Sequence, residues 1–237
     1  MFENDEVIAV SNAALVAYHH LRTNCSLSTS FHQCVVYNGC RIPPQGEHNF
    51  LIDREKINIA FCGKFELQKG IDILIERIRT INHRYENVFL FHMVGAGTYQ
   101  KEVDELAKQS SNVLLYDAVP EIANQLHAFD FVIMPSRFEG LGLVSIEASF
   151  SKTPVIISRV PGLDETIPED WPLQFHLDNS DELLAIFENI ANHKYPIESL
   201  KEKAFGFVSK KFPIDSMIEK YAKIYADSEN NQITETL

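Results

Sequence analysis

From Ile57 onward the chain is a succession of short apolar runs separated by amphipathic stretches. The runs are rich in Val, Ile and Phe, and they are too short and too uniformly apolar for helices. They read as strands buried on both faces, near residues 57–62, 88–94, 113–116, 131–134 and 154–157, with a weaker candidate at 173–176. Between them apolar residues recur at helical spacing and predict helices near 69–83, 98–110, 121–128, 142–151, 180–193 and 197–211. Strands alternating with helices define an α/β class with a doubly wound, parallel, Rossmann-like sheet, and right-handed crossovers would put helices on both of its faces. Phe212-Pro213 then breaks the pattern. A last helix is expected from about Ile214 to Ala226, followed by a polar, frayed tail from Asp227 to Leu237.

The opening residues have a different rhythm. Val7-Ile8-Ala9-Val10 is a short apolar strand, and Ser11-Asn12 offers an N-cap to a helix running through Ala13 to about Leu21. A polar loop covers Thr23 to His32, and Cys34-Val35-Val36-Tyr37 forms a second strand ending at the turn signal Asn38-Gly39. Residues 41–54, with Pro43-Pro44-Gln45-Gly46-Glu47, read as a linker. The pattern divides the chain into 1–54, a folded unit at 55–211, and a helix with its tail at 212–237. No internal repeat or low-complexity tract interrupts it.

The stretch Ser136-Arg137-Phe138-Glu139-Gly140-Leu141-Gly142-Leu143-Val144-Ser145-Ile146-Glu147 carries the most chemistry, because it sets two carboxylates eight residues apart across a strand-to-helix turn. Gly140 and Gly142 keep side chains away from the helix start, where free N–H groups and the positive end of the macrodipole favour an anion. The turn falls at the carboxyl end of a strand, where open α/β sheets bind ligands. The strand at 57–62 delivers Gly63-Lys64 to the same edge and Lys69-Gly70 opens the next helix, so two ammonium groups can converge there on a diphosphate. Read without a ligand, both lysines are solvated surface charges and the two Glu residues are a helix-start acid and an exposed helix residue. Arg137 is either a third phosphate cation or the partner of Glu139. Paired carboxylates also suit a glycosidase, but their place around a glycine turn favours binding over acid–base work. Gly95-Ala96-Gly97, with Asp117 twenty residues further on, mimics a dinucleotide fingerprint. The third glycine is missing, Gln100 standing in its place, and the motif follows the second strand of the sheet and not the first, so NAD is disfavoured. In the turn Pro161-Gly162-Leu163-Asp164-Glu165, Glu165 either approaches the ligand or caps a helix.

Taken in order, Gly63-Lys64, Lys69-Gly70, Val94-Gly95-Ala96-Gly97, Glu139 to Glu147, and Pro154-Val155-Ile156 followed by Pro161 to Glu165 resemble the retaining, nucleotide-sugar-dependent GT-B glycosyltransferases of group 1, or family 4, with their E-x7-E signature. The resemblance covers residues 55–226, with a shorter match at 7–42. It implies the C-terminal, donor-binding half of a GT-B fold: residues 1–54 would be the remnant of the N-terminal domain with its linker, and the last helix would cross back onto that domain. It implies transfer of a sugar, with retention, from a nucleotide diphosphate sugar to a saccharide, lipid or protein acceptor, with no metal and no cofactor beyond the donor. By the same resemblance Glu139, Lys69 and Lys64 form the catalytic set. Glu139 would hold hydroxyls of the donor sugar and the lysines the diphosphate, Lys64 replacing a common Arg and so supplying a point charge instead of a fork. Glu147 would hold the ribose hydroxyls. The backbone of Gly140, Leu141, Gly142 and Leu143 would meet sugar and phosphate, and Gly63, Gly95, Gly97, Val119 and Arg137 would complete the site, with the base against the backbone of Tyr116 to Val119. The absent acceptor half opens a second reading: a nucleotide-sugar-binding subunit without catalysis of its own. Such a subunit would need a partner chain, or copies of itself, over the exposed N-terminal segment and last helix. A GT-B epimerase is a third.

Composition narrows the partners. With 237 residues, 45% of them hydrophobic, the chain can bury a substantial core. A formal charge of −12 argues against nucleic acid or an anionic membrane as main partner, so a phosphate must be held by local positive charge. The acidic start Met1-Phe2-Glu3-Asn4-Asp5-Glu6 is unlike a secretion signal, and no apolar run approaches the ~18 residues of a membrane span. A cytoplasmic, at most membrane-peripheral protein is the expectation. Cys25, Cys34, Cys40 and Cys62 lack C-x-x-C and zinc spacing and read as reduced, structural thiols. His19-His20 reads as surface, and His92 as a core or edge histidine.

Overall fold

Six parallel strands carry the fold of the computed structural model, which describes residues 6–234. Two further strands, β1 (Glu6–Ala9) and β2 (His32–Val35), pair in parallel around α1 (Asn12–Asn24). The main sheet comprises β3 (Ile57–Cys62), β4 (Phe89–Val94), β5 (Val113–Tyr116), β6 (Phe131–Met134), β7 (Val155–Ser158) and β8 (Gln174–Phe175), in the order β5-β4-β3-β6-β7-β8. Every residue of β4, β6 and β7 is buried, which is why these segments are apolar but for His92 and Ser158 and do not alternate. The chain steps outward from β3 to β5, returns beside β3, and steps outward the other way through β6, β7 and β8.

The helices are α2 (Ile71–Tyr85), α3 (Gln100–Gln109), α4 (Leu143–Phe150), α5 (Ser180–Ala191), α6 (Ile197–Lys211) and α7 (Ile214–Thr234). α2 shows the logic of the layers: Ile71, Leu74, Ile75, Ile78 and Ile81 form one buried stripe at helical spacing. It packs beside α3 and α5, while α4 packs beside α6.

Three expectations need correction. Residues 122–128 form a 3-10 helix after Glu121, which sits in the left-handed region, and apolar spacing alone does not separate the two helix types. The helix expected at 69–83 is interrupted by Gly70, which ends a 3-10 turn at Leu67–Lys69 and begins α2. The last helix continues to Thr234, because no Gly or Pro lies between Ile214 and Thr234 to stop it; Met1–Asp5 and the final part of the expected tail, residues 235–237, lie outside the described residues. Residues 41–54, read as a linker, are fastened at two points. Phe50 is buried against the rings of Tyr116 and Phe129, at centroid distances of 4.8 and 4.7 Å, and the Gly46 N–H donates to the Asn124 carbonyl at 3.2 Å.

A second, small core joins Leu141, Ile146 and Phe150 to Val208 and Phe212, and Val10, Tyr37 and Cys40 of the N-terminal segment pack onto it. The Cys40 N–H donates to the Phe212 carbonyl at 2.9 Å, tying that segment to the junction of α6 and α7. Cys62 is buried, but Cys25 is exposed where it ends α1. His92 is fully buried in β4, and burial holds its pKa down at about 4. Its Nε2 lies 3.1 Å from Asn58 Oδ1, and Nδ1 has no partner.

A neutral, buried His92 stabilises the fold above the ordinary histidine pKa, and that contribution drains away as pH falls from 6.5 toward about 4. The full shift corresponds to roughly 3 kcal/mol. Thermal melts between pH 7 and 4.5 are expected to show a decline in Tm that is shallower in His92→Gln; parallel profiles would refute the assignment.

Candidate functional site

Where the strand order reverses, the loops leaving β3 and β6 turn to opposite sides and open a crevice at the carboxyl edge of the sheet. Two adjoining hollows of about 420 Å³ each lie there. The first is lined by Gly63, Lys64, Gln68, Lys69, Ser136 and Val144, and the second by Gly63, Lys64, Gly95, Val119 and Val144 among others. Gly63, Lys64 and Val144 are therefore a shared wall. The glycines of the G-x-G stretch shape it by letting loops touch. Gly95 has φ +144°, and a Cβ there would run into the Gly63 carbonyl, while one on Gly97 would come within 2.5 Å of the Phe65 carbonyl oxygen.

At the mouth of the first hollow Lys69 Nζ donates to Glu139 Oε1 at 2.7 Å, and Ser136 Oγ donates to the same oxygen at 2.8 Å. The Glu139 side chain is 9% exposed and that of Lys69 27%, so the pair is better shielded than a surface pair. Gly70 makes this meeting possible. At φ +67° it lets the start of α2 approach the end of β6 so closely that a Cβ would overlap the Pro135 carbonyl. Lys69 is thus engaged and not a solvated charge. Lys64 is exposed, and its ammonium makes no hydrogen bond or ion pair among the described residues.

Arg137 does not pair with Glu139. Its Nη1 and Nη2 donate to Asp72 Oδ1 and Oδ2, both at 2.7 Å, and Nη1 also donates to the Leu67 carbonyl at 2.6 Å. Asp72 lies in the first turn of α2, just beyond Gly70, and offers both oxygens of its carboxylate to the guanidinium fork, whereas Glu139 Oε1 already accepts from Lys69 and Ser136. The hydrogen bond from Arg137 keeps the Asp72 carboxyl below the usual range, and Asp72 raises Arg137 in return. This clasp ties the motif turn to the Leu67–Lys69 turn and so seats Lys69 beside Glu139. Asp72 and Gln68 were missed in the sequence. The only signal for Asp72 is an acid in a first helical turn, and its partner is 65 residues away.

Glu147 lies one turn beyond Val144 on α4 and is half-buried. Burial raises its pKa, and it accepts no hydrogen bond from any described residue. It faces Cys62 at the end of β3 and Cys40: burial first, then the Glu147 charge, pushes these thiols up to about 12 and about 11. Gly140 opens on space, whereas Gly142 is buried and a Cβ on it would overlap Leu163, so the missing side chain at Gly142 makes room for Leu163. Leu141 is buried in the small core and Leu143 is exposed; α4 starts at Leu143 with no side-chain cap, leaving its first N–H groups for other acceptors. Phe138 and Leu67 are also exposed around this turn.

The N-terminal segment reaches the same turn. Ser11 Oγ donates to the Gly140 carbonyl, and Glu165 accepts from the N–H groups of Asn12 and Ala13 at 3.1 and 2.8 Å. Of the two readings of Glu165, capping holds, and the capped helix is α1 at the other end of the sequence.

A parallel sheet with this reversal, flanked by helices, is the Rossmann-like architecture of GT-B enzymes. The profile of the family described as Glycosyl transferases group 1 matches residues 56–192, more than half of the chain, and the chain belongs to that family. It is 26% identical over 236 residues to an uncharacterized 41.2 kDa protein in the cps region of Klebsiella pneumoniae, covering 93% of this chain and 63% of that protein. It is also 26% identical over 232 residues to the uncharacterized glycosyltransferase MJ1178 of Methanocaldococcus jannaschii, covering 94% and 60% respectively. The chain spans about three-fifths of the length of these relatives. Among solved structures a TarM variant of S. aureus, in complex with fondaparinux, alpha-GlcNAc-glycerol and UDP, superposes with a TM-score of 0.77 at 20% identity, covering 93% of this chain and 43% of that one. This last likeness shows the fold. No helix among the described residues is long and apolar enough to cross a membrane.

Because burial raises Glu147, its ionised form costs stability. The penalty is absent at low pH and grows as pH rises through its raised pKa. Glu147→Gln is expected to melt higher than the parent protein at pH 7.5, with the gap closing as pH falls through the carboxylate range. A gap that widens on acidification would contradict this.

Proposed function

We propose that this chain is the donor-binding half of a GT-B glycosyltransferase that moves a sugar, with retention, from a nucleotide diphosphate sugar to a saccharide-type acceptor. One observation carries the reading: Lys64 and Lys69 line the crevice at the β3/β6 reversal, Glu139 is bonded to Lys69 and Glu147 lies near Cys62 of its wall, beside an uncapped helix start. The diphosphate lies between Lys64, Lys69 and the first N–H groups of α4, where charge-assisted bonds stabilise the leaving group. Lys69 then exchanges one anionic partner for another: phosphate replaces Glu139, and the released carboxylate, still held by Ser136, accepts from a hydroxyl of the donor sugar. Glu147, with its acceptor capacity unused by any described residue, takes the ribose hydroxyls. The base rests over Val119 in the second hollow. Residues 1–54 are the end of an acceptor domain with its linker and residues 55–211 the donor domain, with the last helix returning to the acceptor side.

The UDP in the S. aureus structure makes UDP-sugars the first donors to try, and the cps-region relative points to a surface polysaccharide as product. Isothermal titration with UDP-, GDP- and ADP-sugars is expected to find one that binds with a micromolar Kd, weakened at least tenfold by Lys69→Ala and by Glu147→Ala. Absence of binding by the whole panel would overturn the proposal.

A further inference from the structure

Glu165 lines neither hollow at the reversal, yet every polar contact of its side chain goes to the N-terminal segment. Oε1 accepts from the Ala13 N–H at 2.8 Å; Oε2 accepts from the Asn12 N–H at 3.1 Å, from Asn12 Nδ2 at 3.0 Å and from the Tyr37 hydroxyl at 2.6 Å. A carboxylate from the far end of the sequence therefore does what a local N-cap does, and the helix dipole favours its charge there. The backbone of the same loop is clamped as well. Lys211 Nζ donates to the Glu165 carbonyl at 2.8 Å while lying over the rings of Tyr37, Phe207 and Phe212 at 5.0, 5.3 and 5.4 Å. On its other side the loop touches the motif, since a Cβ on Gly162 would collide with the Glu139 carbonyl and lie 3.2 Å from that of Gly140. Ser11 closes the ring: its hydroxyl accepts from the Ala14 N–H at 2.9 Å and donates to the Gly140 carbonyl.

We infer that Glu165 is a positioning residue: by capping α1 it holds Ser11 against Gly140 and fixes the backbone of the Glu139–Gly142 turn in the shape that receives the donor. Its consequence for binding rests on the function proposed above; its effect on the turn does not. Loss of the carboxylate leaves two helix N–H groups and the Tyr37 hydroxyl without their acceptor, which frees the start of α1 and with it Ser11.

Amide hydrogen exchange of residues 136–147 in the ligand-free protein tests this, using Glu165→Ala, Glu165→Gln, Ser11→Ala and the Ser11→Ala/Glu165→Ala double variant, with nucleotide-sugar affinity measured alongside. Exchange at the turn is expected to rise at least tenfold in Glu165→Ala and in Ser11→Ala, with β3 and β4 unchanged. The double variant should go no further than the stronger single one, because both act through one contact. Glu165→Gln, which keeps one acceptor oxygen, should fall between. Affinity should drop at least fivefold in Glu165→Ala. If α1 loosens while the turn keeps its protection, Glu165 merely staples a helix and the inference fails. If Glu165→Ala loosens the whole sheet, the milder Ser11→Ala decides, an unchanged turn again refuting the inference. If the parent protein binds no nucleotide sugar, the exchange data still decide the positioning role and only the functional reading falls.

Discussion

β3 and β6 lie side by side and run parallel, yet the chain departs from their carboxyl ends toward opposite sides, so neither following loop covers the edge between them. The crevice follows from this topology and would exist for any apolar sequence that folds this way. What the particular sequence adds is the closeness of the walls. Gly70 against Pro135 and Gly95 against Gly63 bring backbone to backbone where a single methyl group would hold the loops apart. The result is that charged groups from the ends of different strands, which a looser edge would leave separately solvated, share one environment.

That environment matters because the chain carries a formal charge of −12 and has few cations to spare for this edge. Arg137 is consumed by Asp72, and Lys211 by three rings and a carbonyl. Of the two lysines that remain, Lys69 is shared with Glu139 and the Lys64 ammonium is uncommitted among the described residues. The clasp of Arg137 commits a cation to geometry, holding the Lys69 turn in place, so that the charge offered to an incoming anion sits on side chains that need little rearrangement. A unit charge at about 4 Å from another gains about 4 kcal/mol at an effective dielectric of 20, so correct placement of two ammonium groups outweighs the overall repulsion of a distant, screened negative surface.

The sheet is legible in the sequence because strands buried on both faces are apolar at most positions. The turn between β6 and α4 is legible because glycines set between acids at a strand end mark a backbone kept clear of side chains beside charge. The pairings are not. Arg137 meets Asp72, and Glu165 meets Asn12, across separations of 65 and 153 residues that only the topology closes. Local pattern likewise gives no sign that Gly142 clears space for Leu163, or that Phe50 pins the segment expected to be a linker. Periodicity reports which face of an element is buried. It does not report which loop lies opposite, and at this site the loops carry the chemistry.

The N-terminal segment shows why that distinction has mechanical weight. A two-stranded unit is marginal on its own, and no side chain of α1 is fully buried, so apolar packing does little to fix where that helix lies. Its start is held instead by the Ser11, Asn12 and Tyr37 contacts to Gly140 and Glu165. Hydrogen bonds are directional where apolar contacts tolerate sliding, so a modest rotation of the segment would weaken several of these bonds together. A helix seated by packing would transmit such a rotation gradually; one seated by a ring of hydrogen bonds transmits it as engagement or release. Because one of those bonds ends on the carbonyl of Gly140, the state of the N-terminal segment is written directly into the turn between the two glutamates.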